Sequence, residues 1–174
     1  MLFAESLAAG QVGEGQVARY LIGRGWQIMP VYQMEKHTGK GPQLFGDYGE
    51  LVAPDMLTIR GKTVRWVEAK TKSSFTWYRL GQKWQTGIDL RHWRDYLRVN
   101  AETPFEMWIV FLHRDGKAKD TPAGMDSPTG LFGNEVGILS RCVDHESENH
   151  GASGMVYWNR DDLRLIATLE SLRQ

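Results

Sequence analysis

The chain has 174 residues, 41% of them hydrophobic and 24% charged, enough to bury one substantial core. Its 21 basic and 21 acidic side chains cancel, which excludes a protein that coats nucleic acid through bulk charge. No apolar run approaches the roughly 20 residues of a membrane span, the N-terminus shows no basic leader, and the lone Cys142 excludes an intrachain disulfide, so a single-domain cytoplasmic protein is expected.

A helix is expected from about residue 12 to 24, with Val17, Ala18 and Leu21 on one buried stripe and Gly25 as its stop. Residues 26–32 read as a first strand and 35–49 as a polar, glycine-rich loop. Leu51 to Ile59 and Thr63 to Thr71 then read as the two arms of a hairpin turning at Arg60-Gly61-Lys62. Residues 73–87 are aromatic and irregular. A second helix over residues 89–99 carries Leu90, Trp93 and Leu97 inward, with Asp89 as its expected N-cap and Arg91, Arg94 and Arg98 on another side. Phe105 to His113 is an apolar strand for the sheet centre. Residues 114–130 read as a mobile surface loop. Strands near 136–143 and 155–158 and a closing helix over 161–172, with Leu163, Ile166, Leu169 and Leu172 as its stripe, complete the chain. The expected class is α/β: a mixed central sheet flanked by helices, with C-terminal strand and helix additions.

The chemistry sits in the hairpin. Hairpin partners sum to a constant, so a turn near residue 61 sets Asp55 opposite a residue near 68. Side chains alternate along a strand, so Glu68 and Lys70 share a face while Ala69 points away. Two carboxylates held together repel and raise each other's pKa. A hard divalent cation removes that penalty, and Mg²⁺, with Mn²⁺ as substitute, suits oxygen ligands. Such a site can position water against a phosphate, with Lys70 beside the developing charge.

Pro54-Asp55 followed across a hairpin by Glu68-Ala69-Lys70 resembles the signature of the PD-(D/E)XK nuclease superfamily, which includes many restriction enzymes and Holliday junction resolvases. The resemblance covers about residues 12–113 and implies a restriction-endonuclease-like core of helix, three-stranded meander, helix and strand (αβββαβ), with additions over 131–174. It implies that Asp55, Glu68 and the backbone carbonyl of Ala69 bind Mg²⁺ and that Lys70 assists catalysis. Many members add a glutamate from the first helix, and Glu14 matches it. That acid also lies on the inward stripe, three, four and seven residues before Val17, Ala18 and Leu21.

Residues 60–98 carry ten basic and three acidic side chains, an excess of seven positive charges that the rest of the chain balances. Lys72, Arg79, Lys83, Arg91, Arg94 and Arg98 are the expected phosphate contacts. The resemblance also implies a polar residue from the second helix, for which His92 and Tyr96, or Gln85, are candidates, and Trp77, Tyr78 and Trp84 are candidates for stacking on bases. Cys142, His145 and His150 lack a fourth ligand for zinc. Neither Gly13-Glu14-Gly15 nor Gly39-Lys40-Gly41 has the spacing of a phosphate loop. The expected function is Mg²⁺-dependent hydrolysis of phosphodiester bonds, in DNA before RNA, by a small resolvase-like or phage-type enzyme. A homodimer would cut two strands symmetrically. A nuclease fold kept as a silent nucleic-acid-binding or assembly module is the other reading.

Overall fold

The computed structural model describes residues 3–31, 43–46, 49–118 and 120–173; Gly39-Lys40-Gly41 lies outside them. In chain order the elements are α1 (Phe3–Gly23), β1 (Gln27–Pro30), β2 (Gln43–Gly46), β3 (Gly49–Val52), β4 (Met56–Arg60), β5 (Thr63–Lys72), β6 (Thr76–Tyr78) and β7 (Lys83–Asp89). After these come α2 (Leu90–Glu102), β8 (Glu106–His113), β9 (Gly130–Glu135), α3 (Val136–Leu139), β10 (His145–Ser147), β11 (Met155–Asn159), a short 3₁₀ turn (Arg160–Asp162) and β12 (Arg164–Ala167). No helix among the described residues is long and apolar enough to cross a membrane.

A six-stranded mixed sheet in the order β1-β4-β5-β8-β9-β12 forms the centre. Only β5 and β8 run parallel, Glu68 beside Ile109 and Lys70 beside Phe111, with α2 in the crossover between them. Both faces of these strands are covered, which is why β8 reads as one unbroken apolar run. Val17 of α1 packs with Val67, Ala69, Val110 and Leu112 on one face. Trp66, Ile109 and Phe111 meet Trp93, Tyr96 and Val99 of α2 on the other, together with Val136 and Leu139 of α3 and Trp158 of β11.

Several elements differ from expectation. Helix α1 begins nine residues earlier than its apolar stripe suggests. The arm read as one strand over 51–59 is two: β3 pairs with β2, β4 pairs with β5, and Ala53-Pro54-Asp55 breaks between them. The stretch 73–87 is no irregular loop but the hairpin β6–β7, whose Trp77 and Trp84 are direct cross-strand partners with rings 5.0 Å apart. With β10 and β11 it forms a second, four-stranded sheet, so β11 does not extend the first.

The strand expected at 136–143 is displaced: β9 ends at Glu135 and a short helix follows. The closing helix is absent, because β12 occupies that segment and pairs with β9. A free edge on β9 would leave unpaired backbone groups, and strand pairing overrides the three-residue leucine spacing. Part of the 114–130 loop is anchored: Ser127 is buried and its Oγ accepts from Phe75 N at 3.1 Å.

Candidate active site

The turn that sets the register is Gly61-Lys62, flanked by the pair Arg60–Thr63, with Gly61 at φ +60°. A two-residue hairpin turn needs positive φ at its first position, which glycine adopts without strain. The register then runs Ile59–Val64, Thr58–Arg65, Leu57–Trp66 and Met56–Val67. One step further, past the end of β4, Asp55 faces Glu68. Asp55 N donates to Glu68 Oε2 at 3.2 Å, and Ala69 N donates to Asp55 Oδ2 at 2.8 Å. Placed just before β4 rather than within it, Asp55 engages the backbone of the neighbouring strand β5 through its side chain, at Ala69 N.

Lys70 Nζ stands 2.5 Å from Glu68 Oε1, and Tyr96 Oη of α2 donates to that same oxygen at 2.6 Å. Glu68 is buried, whereas Lys70 keeps 25% of its side chain exposed. The site thus opens at Lys70 and closes at Glu68.

Glu14 reaches the cluster because α1 lies directly on β5. Gly13 is the reason: a methyl group there would overlap Thr71 Oγ1. Glu14 is coupled electrostatically to Glu68 and Lys70.

Burial raises the Asp55 carboxyl well above its ordinary value, and repulsion from Glu68 adds to this against the opposing pull of Lys70. Burial also raises Glu14, with Glu68 adding to it. For Lys70, burial works downward, but the carboxylates of Glu68 and Asp55 outweigh it and hold the ammonium above its usual value. Three acids share one ammonium, which leaves negative charge unmatched.

Do these residues suit a metal? Among the described residues no set of three or more Asp, Glu, His or Cys side chains closes around one point. Mg²⁺, however, commonly takes one or two carboxylates and keeps its waters. Asp55, just before β4, and Glu68, on β5, with unmatched negative charge, fit that donor set.

The expected phosphate contacts divide. Lys72 follows Lys70 on the same face of β5 and is partly buried; burial, then Lys70, lowers its pKa. Arg91 and Arg94 are exposed on α2. Arg79 instead pairs with Asp120 at 2.6 Å, Lys83 with Asp144 at 2.6 Å, and Arg98 with Glu102 at 3.1 Å. Gln85 is buried away from the site, donating to Asp144 and Asn159. Trp77 is buried too, so it offers no free stacking face. His92 is half-buried beside Tyr96, their ring centres 6.3 Å apart; burial and then Lys70 lower its pKa.

No family model and no curated protein matches the chain. Among solved structures it is similar to Hjc, a Holliday junction resolvase from the archaeal hyperthermophile Archaeoglobus fulgidus. The TM-score is 0.49 and the identity 9%, over 88% of this chain and 90% of that one. A likeness of that size carries no argument about activity.

Proposed function

We propose that the protein is a metal-dependent nuclease that hydrolyses phosphodiester bonds in DNA, built on a PD-(D/E)XK core of α1, β1, β4, β5, α2 and β8. The observation that carries this reading is the convergence of Asp55, Glu68 and Lys70 on one partly open surface, with two carboxylates joined through backbone amides and an ammonium beside them.

Asp55 and Glu68 would hold Mg²⁺, with Glu14 adding negative charge from α1. When bound, the ion supplies Lewis acidity toward a phosphoryl oxygen and lowers the pKa of water. Lys70 stays cationic at neutral pH because its pKa is raised. Its role is therefore to stabilise negative charge developing on the phosphate and to orient the attacking water, not to accept a proton. Tyr96 holds the Glu68 carboxylate in one orientation. The exposed Arg91 and Arg94 would meet the phosphate backbone, and Lys72 would add positive potential from behind.

The test is a cleavage panel of linear duplex, single strands, flaps, four-way junctions and RNA, each with Mg²⁺ and with Mn²⁺. Metal-dependent cutting of DNA is expected, abolished in Lys70→Ala while DNA binding persists. Cutting of RNA alone would reassign the substrate. No cutting of any substrate, or full activity in Lys70→Ala, would defeat the proposal.

A further inference from the structure

On the opposite face of the sheet from Glu68 and Lys70, a cavity of about 350 Å³ lies between α1, the starts of β5 and β8, and β12. That volume falls in the range of roughly 300–1,000 Å³ typical of small-molecule sites. Its floor is apolar, formed by Val67, Val110 and Leu131. Four arginines line it: Arg24, Arg60, Arg65 and Arg164.

Three of these guanidiniums alternate with two indoles. Arg60 lies 4.6 Å and Arg65 5.3 Å from the Trp26 ring centre, while Arg65 and Arg164 lie 5.1 and 5.9 Å from that of Trp108. Arg24 stacks separately on Tyr20 at 5.2 Å. Stacking fixes each planar guanidinium and lowers the entropy lost when its N–H edge binds an anion.

The positive charge is poorly matched. Arg65 Nε stands 2.8 Å from Glu106 Oε2. Among the described residues, Arg24, Arg60 and Arg164 have no carboxylate within 4 Å. Packing alone explains one or two arginines over tryptophan, since their stems cover apolar surface. It does not explain four around one open cavity with a single acid beside them.

We propose that this cavity is a second ligand site, for a small phosphorylated molecule with a flat apolar body, of the nucleoside monophosphate class. The arginine rim takes the phosphate through forked, charge-assisted hydrogen bonds. The slot between the helix and the sheet takes the planar body against Val67, Val110 and Leu131. The site is separate from the nuclease centre, so neither reading depends on the other.

Calorimetry on the full chain with AMP, adenosine and inorganic phosphate tests it. AMP should bind once per chain, and adenosine and phosphate each at least about tenfold more weakly, because each lacks one half of the recognition. Arg60→Ser/Arg164→Ser should weaken AMP by about tenfold or more. Should that double variant melt early, Leu165→Trp provides the second arm: it keeps every arginine and blocks the half-exposed mouth, and it too should weaken AMP. The proposal is overturned if AMP fails to bind at millimolar concentration, or if adenosine or phosphate binds as well as AMP. It also falls if neither variant changes the affinity, or if stoichiometric duplex DNA displaces AMP, since the arginines would then belong to a polymer track.

Discussion

Tyr96 Oη and Lys70 Nζ donate to one and the same oxygen, Glu68 Oε1, from a helix and a strand that approach it from different directions. The carboxylate of Glu68 is thereby fixed in orientation, and its other oxygen is met by Asp55 N. Tyr96 is buried, and burial, followed by the Glu68 charge, raises its pKa well above the ordinary phenol, so it remains a donor at any working pH.

Tyr96→Phe removes one donor without removing the ring. A hydrogen bond to a charged group contributes about 1.5–3 kcal/mol, and Lys70 remains to carry part of the load, so a loss of roughly 1–2 kcal/mol is expected. For a chain of this length that is a fall in Tm of about 2–8 °C. Turnover should drop by about tenfold rather than vanish, since the acids and the lysine stay in place while Glu68 gains freedom. Thermal melts and single-turnover cleavage check the two halves. An unchanged rate would remove Tyr96 from the positioning of Glu68.

The pairing of Asp55 with Glu68 was legible because hairpin arithmetic depends only on the turn, and Gly61 marks it. Lys70 followed from strand alternation. Tyr96 is a site candidate in the sequence, but its bond to Glu68 is not legible there, because it joins elements whose packing no local pattern encodes. Within the basic stretch, the pairing of Arg79 and Lys83 with Asp120 and Asp144 is not legible, because those acids lie 41 and 61 residues away along the chain. At the C-terminus, Leu163, Ile166 and Leu169 fall at three-residue intervals. The pairing of β12 with β9 is a long-range contact that overrode this helical spacing. The hairpin β6–β7 escaped because its Trp77–Trp84 pair reads locally as aromatic irregularity.

Gly13→Ala sets two effects against each other. Alanine favours a helix interior over glycine by about 1 kcal/mol. Against this, the new methyl overlaps Thr71 Oγ1, and overpacking of this kind costs about 1–3 kcal/mol. A net loss of stability is expected, with α1 lifted from β5 and Glu14 carried away from Lys70. Thr71→Ala should rescue it, so the double variant melts above Gly13→Ala alone. Simple additivity of the two substitutions in a double-mutant cycle would show that this contact does not set the helix position.

Asp55→Asn should raise stability while destroying function. Burial and the Glu68 charge make ionised Asp55 costly, and an amide keeps the acceptor for Ala69 N without the charge. A gain of roughly 1–2 kcal/mol, or about 2–8 °C in Tm, is expected in EDTA. Mg²⁺ should reverse the ranking, because it stabilises only the protein that binds it, by RT ln(1 + [L]/Kd). Melts of both proteins with EDTA and with millimolar Mg²⁺ or Mn²⁺ decide this. An equal metal-induced rise in the two proteins would mean that Asp55 is not a ligand.

His113 supplies a pH dependence remote from the metal chemistry. Its ring is fully buried, stacked on Phe75 with centroids 3.7 Å apart, and neither nitrogen has a hydrogen-bond partner. Burial, reinforced by the nearby Lys72, lowers its pKa from 6.5 to about 3; the Ser74 backbone, short of hydrogen-bond geometry, opposes this only weakly. Between those two values the unfolded chain binds the proton and the folded chain does not. The contribution of His113 is thus complete above about pH 6.5 and is lost progressively as pH falls toward 3. At pH 4.5 the loss is about 2–3 kcal/mol, from two pH steps of 1.36 kcal/mol each. His113→Phe keeps a flat ring against Phe75 and has nothing to protonate. It should melt close to wild type at pH 7.5 and above it at pH 4.5. Parallel losses of Tm on acidification in both proteins would show that the acid sensitivity of this fold lies elsewhere.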